Sequence, residues 1–210
     1  MTSDVRHPVF ARVFHLFSAA MEREVGPRRD ELLDGLTGRI IEVGAGNGVN
    51  FDHYPDAVSE VVAVEPEAYL RARAVQAAAR ARVKVTVVDG LADELPFGNA
   101  SFDAAVSSLV LCSVPDQAAA LAELRRVLRL DGELRFFEHV AASIPAKARL
   151  QRSFDRWGVW PRLAGGCHCA RDTRTAIETN GFRLQHERRF DVGSSWILTN
   201  PHTLGRAQAA

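Results

Sequence analysis

The chain has 210 residues, of which 47% are hydrophobic and 25% charged, enough for a domain with its own core and too apolar for a disordered chain. Basic and acidic residues number 26 each, so the net charge is zero, which argues against a basic surface that grips nucleic acid or anionic lipid. The cysteines, Cys112, Cys167 and Cys169, are few and odd in number, a pattern of a reducing, cytoplasmic compartment rather than of a disulfide scaffold.

At the N-terminus, Val9, Phe10, Val13, Phe14 and Phe17 recur at helical spacing, and a second helical stretch runs through Arg28 to Leu33. Residues 1–35 are expected to form a helical cap, packed on the core or lying over a pocket as a lid. No charged-then-apolar signal pattern opens the chain, and the uncharged run from Ala104 to Pro115 is too short to cross a bilayer, so no membrane span is expected.

From residue 36 the pattern alternates. Arg39 to Val43 reads as a strand that stops at glycines, Val61 to Val64 as the next, and Val83 to Val88 as the third. Glu67 to Arg82 is rich in helix formers. Phe102 to Ser108 reads as a buried strand. Asp116 can cap a helix with Leu121, Leu124, Val127 and Leu128 on one face, ended by Asp131-Gly132, after which Glu133 to Val140 resumes as a strand. Strands alternating with helices predict an α/β fold, a largely parallel sheet covered by helices on both faces. The tail reads as two strands, Phe182 to Phe190 and Ser195 to Leu204, joined as an antiparallel hairpin by Asp191-Val192-Gly193.

The most informative motif is Glu42-Val43-Gly44-Ala45-Gly46-Asn47-Gly48, at the carboxyl end of the first strand, where open α/β sheets bind ligands. The next strand ends in Glu65, at the spacing from the glycines at which a carboxylate reaches ribose hydroxyls. The third glycine comes one position too early for a dinucleotide fingerprint, and no Gly-Lys-Ser or Gly-Lys-Thr phosphate loop is present. S-adenosylmethionine, with a ribose but no pyrophosphate, fits better.

With Val64-Glu65-Pro66, Asp93 to Phe97, Ser101-Phe102-Asp103 and Leu128 to Gly132, the glycine segment makes the chain resemble the class I S-adenosylmethionine-dependent methyltransferases over nearly its whole length. The resemblance implies a Rossmann-like, seven-stranded, mostly parallel sheet with an antiparallel last strand. Leu109 to Val114, Phe137 to Val140, Gly166-Cys167, Arg171 to Thr173 and Pro201-His202, together with Asn50-Phe51 and Tyr54-Pro55, look like the alkyl thiol methyltransferases within that class. Those relatives begin with a hydrophobic anchor, which does not open this chain. The resemblance implies that Gly44, Gly46 and Gly48, with Glu42 and Asn50, wrap the methionine part of the cofactor. It implies further that Glu65, with Pro66, takes the ribose, that Leu91 and Ala92 flank the adenine, and that Ser108 and Leu109 face the amine or methionine carbons.

For chemistry, His139 at the end of the fifth strand is the best placed group to take a proton from an acceptor, or is a structural histidine. Cys112 and Cys167 line the acceptor side or fill space as buried thiols. Cys167-His168-Cys169 lacks the paired spacing of a zinc site, so no metal is expected. Phe154, Trp157 and Trp160 form an apolar acceptor wall or a helix core, and Arg171-Asp172 can make an ion pair. The expected partner is a small-molecule acceptor, a thiol first, with quinone-type or phospholipid-type methyl transfer and a non-catalytic cofactor-binding module as alternatives. No Asn-Pro-Pro-Tyr type motif and no Pro-Cys pair suggests a nucleic-acid substrate. The acceptor's identity and the oligomeric state are not legible.

Overall fold

The structure is a computed structural model and describes residues 8–210. Residues 1–7, the start of the expected cap, lie outside the described residues. The chain folds in the order α1 (Pro8–Leu33), β1 (Gly38–Val43), a 3₁₀ turn (Phe51–His53), β2 (Val58–Val64), α2 (Ala68–Ala78), β3 (Val85–Val88), β4 (Phe102–Ser108), α3 (Gln117–Val127), β5 (Leu128–His139), α4 (Pro145–Arg156), α5 (Val159–Leu163), α6 (Thr173–Thr179), β6 (Phe182–Asp191) and β7 (Pro201–Ala209).

These strands form one seven-stranded sheet in the order β3-β2-β1-β4-β5-β7-β6. The first five pair in parallel, and β7 runs antiparallel to both β5 and β6. Strand order reverses between β1 and β4, so a crevice opens at their carboxyl ends. Runs such as Ile40-Ile41 and Ala104-Ala105-Val106 are buried because helices cover both faces. One core packs α3 and α6 with Phe102, Leu121, Leu124 and Phe136. The other packs the C-terminal half of α1 with Ile40, Val61, Val106 and Phe137. Burying each such side chain contributes roughly 1.5–3 kcal/mol.

Several elements differ from the sequence expectation. The two N-terminal stretches form a single helix that runs through Pro27, whose ring is exposed. Buried Val25, Leu32 and Leu33 anchor it, and their packing outweighs the roughly 3 kcal/mol that proline costs inside a helix. The expected apolar face divides: Phe10 and Phe14 turn toward the domain, whereas Val9, Val13 and Phe17 are exposed. α2 ends at Ala78, four residues before Arg82.

Asp131-Gly132 does not end α3. The helix stops at Val127, and β5 begins at once, with Asp131 at φ 61° forming an irregularity where the register jumps from Leu128 to Glu133. The last strand starts at Pro201 rather than Ser195, and residues 192–200 connect it to β6. Asp116 caps α3 as expected, accepting from the N–H groups of Ala118 and Ala119.

Candidate active site

The glycine segment leaves β1 at the reversal of strand order. Gly44, Gly46 and Gly48 all have positive φ, which only glycine adopts at little cost. A Cβ on Gly44 would come within 2.4 Å of Val110, so the loop after β4 can close on the loop after β1 only because that atom is missing. Glu65, at the end of β2, is buried; one carboxylate oxygen accepts from the Gly46 N–H at 2.7 Å and the other from the Glu67 N–H at 2.9 Å. Burial raises its pKa to about 7 against the pull of those two hydrogen bonds. Pro66 follows it and lends its carbonyl to Arg71 at 2.8 Å.

Glu42 and Asn50 sit beneath the loop in a closed network. Asn50 accepts from Arg29 at 2.6 Å and donates to Glu42 at 2.7 Å, and the Tyr54 hydroxyl donates to the other Glu42 oxygen at 2.9 Å. Desolvation raises the Glu42 pKa to about 7, with Asn50, Tyr54 and Arg29 opposing. Both residues thus shape the loop from inside, tying it to α1.

The first half of α1 lies over this loop. Phe14 approaches within 3.2 Å of where a Gly46 Cβ would stand, and the Asn47 amide bonds both His15 and Ser18. His15 and Arg12 also contact the Tyr69 ring at the start of α2. Leu91 and Ala92 occupy the turn after β3, half-buried, with Leu91 bridging Glu94. The nearby Asp89 carboxylate pairs with Arg71 at 3.1 Å.

Beyond β4, Leu109 takes φ 61° and donates its N–H to the Phe137 carbonyl. A branched-chain residue in that conformation is held by its surroundings, and such positions cluster at functional sites. The surroundings here are organised by Glu138, which the sequence reading did not single out. Fully buried on β5, it accepts from the Ser107 hydroxyl at 2.6 Å and from three successive backbone N–H groups, those of Val110, Leu111 and Cys112. Burial raises its pKa, against the pull of those donors.

The next residue, His139, comes together with Cys112 and Cys167, three of the expected acceptor-side residues. Its Nδ1 lies 3.4 Å from each sulfur, and the sulfurs are 3.8 Å apart. The loop carrying Cys167 is pinned to the β4 turn: Arg171 donates to the Leu111 and Val114 carbonyls, and the His168 N–H donates to the Cys112 carbonyl. Gly166 permits the approach, since a Cβ there would stand 2.9 Å from the Ser113 carbonyl. The Cys167 thiol is held below its ordinary pKa by hydrogen bonding with Cys112, aided by His139 and the Trp160 indole, while Cys112 is pushed up by the same partner, by burial and by Glu138.

The other expected partners go elsewhere. Cys169 is engaged with Asp155 and Gln151, away from His139, so the Cys-x-Cys pair does not converge. Arg171 and Asp172 do not pair as expected; Arg171 takes the two carbonyls and Asp172 caps α6 through Thr175. Trp157 is exposed, while Trp160 stands near Cys167. His202 donates through Nδ1 to the Asn200 carbonyl and stacks on Phe137, and burial lowers its pKa to about 3, so it is a neutral structural histidine beside His139.

The family described as a methyltransferase domain matches residues 41–136, from β1 into β5. The human thiol S-methyltransferase TMT1A is 31% identical over 207 residues, covering 94% of this chain and 82% of the relative. Human thiol S-methyltransferase TMT1B is 29% identical, with 94% and 85% covered. The chain belongs to the class I S-adenosylmethionine-dependent methyltransferases, close to the thiol S-methyltransferases. Among solved structures, a protein from Bacillus halodurans superposes with a TM-score of 0.70 at 15% identity, over 87% of this chain and 97% of that one, which shows the shared fold.

The residues of this methyltransferase suit its cofactor, S-adenosylmethionine. Among the described residues, two buried polar atoms at this end, Asn47 Oδ1 and Ser108 Oγ, have no hydrogen-bond partner. They border a cradle of glycines beside a buried carboxylate, which is a set of groups for a polar ligand. No helix among the described residues is long and apolar enough to cross a membrane.

Proposed function

We propose that this methyltransferase acts on a small lipophilic thiol. The cofactor, when bound, supplies a methyl group on a sulfonium. In our reading Gly44, Gly46 and Gly48 approach its methionine part, and Ser108 and Leu109 face the methionine amine. Glu65, with Pro66 beside it, accepts from the ribose hydroxyls, while Leu91 and Ala92 flank the adenine. Glu42 and Asn50 hold the loop in place, and the first half of α1 closes over it as a cap that excludes water.

The observation that carries the acceptor assignment is the joining of Cys112, from the turn after β4, and His139, at the end of β5, with Cys167 from the loop after α5. A thiol must lose its proton before it attacks carbon efficiently, and it does so most readily beside soft, polarisable and basic groups. The close relatives carry the name thiol S-methyltransferase, which supports the same reading. Free, buried cysteines fit a reducing, cytoplasmic setting.

The test is product formation. Purified protein is incubated with S-adenosylmethionine and a short alkyl thiol, with a quinol and an amine in parallel, and S-adenosylhomocysteine is measured. Turnover with the thiol alone is expected. Turnover with the quinol or amine and none with thiols overturns the assignment.

A further inference from the structure

We propose that Cys112, His139 and Cys167 form a binding site for a thiophilic divalent cation, Zn²⁺ in class, and that the acceptor's sulfur takes its fourth position. The second half of the proposal rests on the thiol reading above; the first does not.

The geometry carries it. Tetrahedral zinc with Zn–S bonds of about 2.3 Å and a Zn–N bond of about 2.0 Å needs sulfurs about 3.8 Å apart and sulfur–nitrogen distances of about 3.5 Å. The sulfurs here stand 3.8 Å apart and Nδ1 stands 3.4 Å from each. All three donor atoms lie within 4.8 Å of one another, and no fourth His, Cys, Asp or Glu among the described residues joins the group. Three protein ligands with one position left open is the arrangement of catalytic zinc, whereas structural zinc takes four. Two thiolates and an imidazole select a soft cation over magnesium or calcium.

The surroundings are those of a supported site. Glu138 fixes the backbone that carries Cys112, Arg171 pins the two cysteine loops together, and the Trp160 indole stands beside the Cys167 sulfur. A spacing search in sequence misses the group, because its members lie 27 and 28 residues apart. With the cation present, His139 is a ligand through Nδ1. The acceptor's S–H bond breaks, a metal–sulfur bond forms in place of bound water, and the proton goes to solvent.

The full chain, stripped with chelator, is titrated with Co²⁺. One equivalent is expected to bind, with thiolate charge-transfer absorption and tetrahedral visible bands. Cys112→Ser and Cys167→Ser should each weaken binding at least tenfold, and His139→Ala likewise, while Cys169→Ser leaves it unchanged. X-ray absorption of the zinc-loaded unaltered protein should show two sulfurs and one imidazole nitrogen, a readout that does not depend on whether a variant folds. Adding a short alkyl thiol without S-adenosylmethionine should shift the visible bands. No stoichiometric cobalt uptake, or equal loss in Cys169→Ser, overturns the site. Cobalt bound with thiol methylated but the bands unmoved by thiol overturns the open position. Cobalt bound and bands shifted, with no thiol turnover, upholds the proposal and fails the acceptor assignment alone.

Discussion

A carboxylate whose pKa rests near neutrality makes any ligand that needs its charge pH-dependent. Glu65 is such a group, raised to about 7 by burial. In the proposed arrangement ribose hydroxyls donate to it, and they would then bind its ionised form. At pH 8 that form dominates, and at pH 6 roughly nine molecules in ten carry the proton. Cofactor affinity should therefore fall by up to about tenfold between pH 8 and pH 6, measured by calorimetric titration with S-adenosylhomocysteine. Glu65→Gln should bind more weakly at both values and lose most of that slope. A flat profile in the unaltered protein removes Glu65 from the ribose. The same shift has a sign for folding: a carboxyl with a raised folded pKa binds its proton more tightly when folded, so its contribution to stability declines as pH rises from about 4.5 to 7. Glu42 adds to this in the same direction.

The residues of the glycine loop and Glu65 were legible in sequence because their chemistry is local to one strand end and the next. Glu138 was not, although it is the group on which the turn after β4 depends. Nothing in a single acidic residue after Phe137 reveals that it meets three backbone N–H groups and a hydroxyl. Replacing it by Ala leaves those four donors, three of them in buried hydrogen bonds, without their acceptor. At roughly 1 kcal/mol or more for each, Glu138→Ala should destabilise the fold by at least about 3 kcal/mol, seen as a lowered midpoint in denaturant unfolding with the slope unchanged. A shift below about 1 kcal/mol would mean that water replaces the carboxylate, and that the turn does not need it.

At the scale of elements, α1 divides into two regions of different character. Its C-terminal half is anchored by Val25, Arg29, Leu32 and Leu33, all buried. Its first half rests on the glycine loop through Phe14, His15 and Ser18 and exposes Val9, Val13, Leu16 and Phe17. Local opening is easiest where few apolar contacts hold the backbone. Hydrogen exchange should therefore be fast over residues 8–21 and slow over 25–33, and S-adenosylhomocysteine should slow the first segment selectively. Equal protection in both halves, unaltered by ligand, makes α1 a plain structural helix. Helical character was readable from the periodicity, though as two stretches rather than one helix, and which residues face inward was not, because the apolar residues spread over more of the circumference than the domain covers.

The last strand shows the complementary limit. Pro201 to Ala209 contains Gly205 and little β-branched sequence, so it reads poorly as a strand. Gly205 is required there, because a Cβ would stand 2.3 Å from the His186 carbonyl and 2.6 Å from Phe136. Pairing with β5 and β6 on either side sets the strand's place, and that information lies outside the strand itself.

At the scale of the whole molecule, the sheet separates the site into two parts. The cradle over β1 and β2 is held by the network of Arg29, Asn50, Glu42 and Tyr54 and by Glu65. The cluster over β4 and β5 is held by Glu138 and by Arg171, which reaches from the loop after α5 to the Leu111 and Val114 carbonyls. Because the supports do not overlap, the two parts should fail independently. Arg171→Ala releases the loop that carries Cys167 while leaving every hydrogen bond of the cradle in place. It should lower kcat/KM for a thiol acceptor at least tenfold and change the affinity for S-adenosylhomocysteine by less than twofold, read by steady-state turnover and by calorimetry on the same preparation. Arg171→Lys keeps the charge but cannot reach two carbonyls with a planar fork, so it should recover only part of the loss. Equal losses in turnover and cofactor affinity would show instead that the cradle and the cluster are one cooperative unit, and that the ends of β4 and β5 do not act as a separable acceptor site.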